Sequence, residues 1–116
     1  MEGRMDRLEM TVYISGPISG TGDYLARFQE AAFKLKGAGY KKIINPAQLD
    51  GVMIGATQEA FLDICLKLVD KADLLVLLPG WENSKGSNRE VGFAIARRKP
   101  FIPMEEVLRQ RQNPEV

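Results

Sequence analysis

Apolar residues in this chain follow two rhythms that alternate from end to end. Thr11-Val12-Tyr13-Ile14 is a β-branched and aromatic run that stops at Ser15-Gly16-Pro17, so residues 11–15 read as a buried strand. Next, Leu25, Phe28, Ala32 and Leu35 recur at spacings of three and four. They predict a helix capped by Asp23, with these four side chains inward, and ended by Gly37 and Gly39. Residues 41–45 (KKIIN) form a short predicted strand closed by Pro46. After a loop containing Gly51 and Gly55, Thr57 suits the N-cap of a second helix that turns Phe61, Ile64, Leu68 and Val69 inward. Residues 73–80 (DLLVLLPG) are apolar without alternation until Pro79-Gly80, which fits a central parallel strand covered on both faces. A third helix follows Ser87, a last short strand spans 100–103, and a charged C-terminal helix frays after Gln112.

The order βαβαβαβα predicts an α/β fold: a parallel sheet with helices on both faces and right-handed crossovers. A length of 116 residues holds one such domain, read as residues 11–112 behind a disordered or appended lead-in at 1–10. The composition, 45% hydrophobic and 27% charged, is that of an ordinary soluble globule, and no apolar run is long enough to span a bilayer. A net charge of +1 without a basic stripe argues against a nucleic-acid polymer or an anionic membrane as partner. One cysteine, Cys65, and no histidine leave neither an intrachain disulfide nor a set of metal ligands. Cys65 reads as a core side chain, and the setting expected is the cytoplasm.

Ligands of open parallel sheets sit beyond the carboxyl ends of the strands, where the strand order reverses. Two loops are predicted there. After the first strand comes GPISG (16–20), whose glycines allow backbone N–H groups to approach an anion or a sugar. It matches neither the P-loop nor the G-x-G-x-x-G fingerprint, and a simple glycine turn is the competing reading. After the third comes PGWENSKGSNREVGFAIARRKP (79–100), which brings Trp81, Glu82, Asn83, Ser84, Gly86, Ser87 and Glu90 to the same edge.

Glu90 has two possible roles. Ser87-x-x-Glu90 is a capping-box sequence in which the glutamate reaches back to the N-cap amide. Alternatively, a carboxylate in the first helical turn stays ionised through the macrodipole and can attack a sugar carbon. The sequence leaves both open.

The stretches VYISGPISG, GYKKIINPA and ADLLVLLPGWENSKGSNREVGFAIARRK together resemble the nucleoside 2-deoxyribosyltransferase superfamily. The nearest likeness is to its small branch known as domain of unknown function 4406, over about residues 11–104. That resemblance implies a three-layer flavodoxin-like or Rossmann-like sandwich with a four- to five-stranded parallel sheet. It also implies cleavage or exchange of the N-glycosidic bond of nucleosides and nucleotides, with no metal or other cofactor. Glu90 matches the family nucleophile and Tyr13 a tyrosine that contacts it. Gly16, Pro17, Ser19 and Gly20 match the ligand-facing loop. Ser84 matches a serine that holds a 5′-phosphate, which points to nucleoside 5′-monophosphates. Trp81 is left between a base and the core, Asn45 between a base contact and an ordinary Asn-Pro turn.

The family aspartate that relays a proton to the base falls near Cys65 here. Asp63 is the nearest carboxylate, and Glu82 or water are the other proton sources. Asp73, at the opposite end of the sheet, reads as structural. Without the relay, a module that binds a nucleotide or an ADP-ribose-like ligand without turning it over is the alternative function, and a purely structural protein is a third. The resemblance implies a homodimer or dimer of dimers. The apolar residues of the second helix (Phe61, Leu62, Ile64, Cys65, Leu66, Leu68 and Val69) are the expected contact.

Overall fold

The computed structural model of the chain describes residues 6–18, 22–49 and 55–112. Four strands, β1 (Thr11–Ser15), β2 (Lys42–Ile44), β3 (Leu74–Leu77) and β4 (Phe101–Pro103), alternate with four helices: α1 (Tyr24–Gly37), α2 (Gln58–Lys71), α3 (Lys85–Ala96) and α4 (Met104–Gln112). The sheet order is β2-β1-β3-β4 and every neighbouring pair is parallel. This is the predicted α/β architecture with four strands, a three-layer sandwich of the flavodoxin-like kind. The order reverses between β1 and β3, so the loops that leave these two strands diverge and open a crevice between them.

Strand periodicity divides the core. Val12 and Ile14 of β1, with Val76 of β3 and Leu78 just beyond it, face α1 and α4, where Phe28, Leu35, Met104 and Val107 cover them. Tyr13, Leu75 and Leu77 point the other way, into Cys65 and Val69 of α2 and Val91 and Ala94 of α3. The continuous apolar run of β3 is explained by its central place, since both its faces are buried.

Two helix faces differ from the expected ones. In α1 the buried line is Phe28, Ala31 and Leu35, continued by Ala38 beyond the helix, while Leu25 is 50% exposed and Ala32 half-buried. Adjacent alanines at 31 and 32 satisfy spacings of three and four equally well, and packing on the sheet selects Ala31. In α2 the buried residues are Cys65 and Val69, with Phe61 and Leu68 packed against their cluster. Ile64, expected inward, is instead exposed.

Thr57 caps α2 as expected, its hydroxyl accepting from the Ala60 N–H at 3.1 Å. Asp73 is structural: its carboxylate accepts from the Thr11 N–H at 2.8 Å and joins the starts of β1 and β3. Ahead of the sheet, residues 6–9 form a turn. Arg7 donates to the Ala38 carbonyl at 2.7 Å and lies over the Tyr40 ring, which ties this part of the lead-in to the end of α1. The segment around Gly51 lies outside the described residues. Among the described residues no helix is long and apolar enough to cross a membrane.

Gly16 sits where β1 and β3 leave the sheet side by side, held by the Leu78 N–H donating to the Ser15 carbonyl at 2.8 Å. A Cβ on Gly16 would lie 2.9 Å from the Leu78 Cβ, so either backbone would have to move. Gly16→Ala should therefore lower stability by roughly 1–3 kcal/mol in urea unfolding, as overpacking does. Unchanged stability would show that the crevice is built more loosely than these contacts require.

Candidate active site

Because side chains alternate along a strand, Tyr13 and Ser15 project to the same face of β1, two residues apart. That face meets α3, and there Glu90 is only 6% exposed. The Tyr13 hydroxyl donates to Glu90 Oε2 at 2.6 Å, and the Ser15 hydroxyl donates to Oε1 at 2.7 Å. Each carboxylate oxygen thus has its own donor on β1, at distances typical of hydrogen bonds to charged acceptors.

Burial is the largest influence on this group and raises the Glu90 pKa from its ordinary value of 4.5 to about 7. The bonds from Tyr13 and Ser15 pull the other way and only partly offset it. The expectation of a carboxylate kept ionised by the macrodipole is therefore corrected. α3 begins at Lys85, which places Glu90 beyond the first turn, where the dipole's influence has fallen off. Burial likewise drives the Tyr13 hydroxyl well above its usual range, with the Glu90 charge adding to it. Cys65, in hydrogen-bonding reach of Tyr13, is pushed up to about 11, mainly by burial.

The capping-box reading of Glu90 is corrected as well. Ser84, not Ser87, is the N-cap, its hydroxyl accepting from the Ser87 N–H at 3.2 Å. The Asn88 side-chain amide donates to the carbonyls of Glu82 and Ser84 at 2.9 and 2.8 Å, bracing the 3-10 turn Trp81–Asn83 against the start of the helix. Gly80, with φ +89, makes the left-handed turn out of β3 that this requires.

Glu90 forms part of the wall of a cavity of about 480 Å³ in the crevice between the β1 and β3 loops. Gly16 and Pro17 line one side; Asn83, Ser84, Lys85, Gly86 and Ser87 line the other; Phe28, Phe61 and Leu62 supply apolar surface. The structure thus brings together Tyr13, Gly16, Pro17, Asn83, Ser84, Gly86 and Glu90 from the residues singled out in the sequence. It does not bring in four others. Asp63 is exposed on α2 and does not line the cavity, because two residues from the buried Cys65 is a different face of the helix. Asn45 uses its side-chain oxygen to accept from the Ala47 N–H at 3.0 Å, as in an ordinary Asx turn. Trp81 packs on the α2–α3 cluster, its core alternative. Glu82 is exposed and borders an adjoining depression with Asn88 and Arg89, which shares Leu62, Asn83 and Lys85 with the cavity. Ser19 and Gly20 lie outside the described residues.

Sequence reasoning missed Ser15, which strand alternation from Tyr13 would have found. Ser87, placed at this edge from the sequence but read as a cap, also lines the cavity. Among the described residues no three acidic or cysteine side chains gather in a way that could hold a metal ion.

The family model for a domain of unknown function, DUF4406, matches residues 10–102, from the start of β1 into β4. The chain belongs to the DUF4406 family. The match takes in both loops of the crevice and every described residue of this DUF4406 site named above. No curated protein matches the chain.

The raised Glu90 pKa makes a prediction with a definite sign. The folded state holds a proton that the unfolded state gives up near pH 4.5. This stabilisation is complete below that pH, is lost as pH rises to about 7, and stays constant above. Glu90→Gln removes that loss, so the variant should gain on the parent between pH 4.5 and 8 by an amount on the order of 3 kcal/mol. Parallel stability curves across that range would mean that Glu90 titrates as an ordinary surface carboxyl.

Proposed function

We propose that this protein cleaves the N-glycosidic bond of nucleoside 5′-monophosphates, or exchanges their base, with Glu90 as nucleophile. The observation that carries the reading is the buried carboxylate held by two hydroxyls in the wall of the crevice cavity. The likeness of its two loops to the nucleoside 2-deoxyribosyltransferase superfamily supports it. A phosphate group suits the start of α3, where Ser84 caps the helix, the N–H groups of Lys85 and Gly86 head it, and the Lys85 ammonium adds charge.

In the reaction, ionised Glu90 attacks the anomeric carbon as the C–N bond breaks, and the bond's electron pair leaves with the base. Water then attacks the glycosyl ester and releases Glu90 and the free sugar phosphate; a second base in place of water gives exchange. Tyr13 and Ser15 orient the carboxylate and stabilise its negative form. The departing base takes its proton from water, because Asp63 and Glu82 do not line the cavity and the Cys65 and Tyr13 protons are tightly held. With no positioned acid among the described residues, turnover should be slow, by about 10²–10⁴-fold against an enzyme that has one.

A binding module without turnover is the second reading, favoured by one observation: both Glu90 oxygens already accept hydrogen bonds. Incubation with a panel of nucleoside 5′-monophosphates, followed by chromatography for free base, separates the two. Glu90→Gln should reduce base release by roughly 10³-fold or more. kcat/KM should rise with pH through about 7 and level off, because only the ionised form attacks. Tyr13→Phe removes a bond that favours ionisation and should move that limb to higher pH. Ligand binding with no base released from any nucleotide would leave the binding module.

For assembly, the proposal is a homodimer or dimer of dimers. Its supporting surface is narrower than the whole of α2, because the core claims Cys65 and Val69, leaving Ile64 exposed and Leu62 and Leu66 half-buried. Light scattering at micromolar concentration should give at least twice 12.9 kDa. A monomer would reject this contact.

A further inference from the structure

Ser87 is 1% exposed, and among the described residues its Oγ is the buried side-chain oxygen with no hydrogen-bond partner. An unsatisfied buried hydroxyl destabilises a folded protein, whereas alanine would fill the same place without that cost. Ser87 is one of the residues that line the cavity. Ser84, Ser87 and Glu90 follow one another at three-residue steps along α3, each about 4.5 Å further along the axis and on neighbouring positions of one face. Ser87 therefore stands between the helix start and Glu90.

We propose that Ser87 is a ligand contact that exchanges a hydrogen bond with a ring hydroxyl of the pentose. This rests on the nucleotide reading above. A molecule with its phosphate at the start of α3 and its anomeric carbon at Glu90 must lay its sugar across the turn that carries Ser87. A hydroxyl both donates and accepts, so it suits a sugar hydroxyl in either sense. Gly86 lines the same cavity, and a Cβ there would come within 3.1 Å of the Leu62 side chain on the facing wall.

The test is calorimetric titration of the full chain and its Ser87→Ala variant with inorganic phosphate, ribose 5-phosphate and 2-deoxyribose 5-phosphate, with thermal melts of both proteins alone. The variant should bind ribose 5-phosphate about three- to tenfold more weakly, the range for one lost hydrogen bond, and bind inorganic phosphate as the parent does. A loss confined to ribose 5-phosphate assigns the contact to the 2-hydroxyl, and a loss shared by the deoxy sugar assigns it to a hydroxyl that both sugars carry; either supports the proposal. Without ligand, the variant should melt at the same or a higher temperature. Equal losses for phosphate and sugar phosphates, no loss at all, or a melting temperature lowered by several degrees would each overturn it. A parent that releases base from nucleotides while Ser87→Ala changes nothing would overturn the Ser87 contact alone. A parent that binds none of the three ligands would overturn the nucleotide reading and the contact with it.

Discussion

The structure turns on burying one carboxyl group between a strand and a helix. Moving an unpaired carboxylate out of water costs far more than a small domain can spare, and proteins meet that cost with partners or by protonation. Here both occur. Tyr13 and Ser15 give each Glu90 oxygen a donor, and the pKa still settles near neutrality because burial outweighs both bonds. Apolar side chains could have filled the same space with less difficulty, as replacements of buried ion pairs show. A carboxyl kept at such a place, and poised between its two forms, is better suited to chemistry or recognition than to holding the fold together.

The sheet topology makes this arrangement possible. Because β1 and β3 are neighbours, β1 lies beneath the layer that carries α3, and one face of β1 offers donors to that helix. The opposite face is apolar, with Val12 and Ile14 anchored under α1 and α4. The donors are therefore fixed by a core they do not belong to. Gly16 then lets β1 leave the sheet tightly against Leu78, and the crevice opens directly above the carboxyl. Rigid placement of this kind is what separates a site from a surface cluster of polar residues.

Strands and layers were legible in the chain because apolar runs bounded by glycine and proline leave few alternatives. Faces of helices were less so: Ala31 and Ala32 compete for the same stripe, and only contact with the sheet decides between them. The start of α3 was misread for a similar reason. Ser84 and Ser87 both precede a position three residues on that can complete a cap, and local sequence ranks Ser87-x-x-Glu90 higher. What decides is Asn88, whose side chain holds the carbonyls of the preceding turn and fixes the helix start at Lys85. That shift of one turn frees Glu90 from capping and turns it toward Tyr13. The pairing of Glu90 with Tyr13 came from likeness to a family, while Ser15 needed the strand's register against α3 to be seen.

α3 now shows a consistent economy. Its buried face carries Ser87, Glu90, Val91 and Ala94, and the apolar members lie on the side that packs into the α2 cluster. The polar members both belong to the cavity wall, one with an unsatisfied hydroxyl and one with a carboxyl that burial makes reluctant to ionise. Each is unfavourable for folding by itself, and the ligand proposed above would relieve both: a hydroxyl for Ser87, an electron-poor carbon for ionised Glu90. Two unfavourable groups on one face, spaced by one helical turn, are hard to explain by folding, because alanine and glutamine would serve the fold as well or better. Complementarity to the proposed ligand would explain both with a single cause, and that shared cause is what supports the proposal for this crevice.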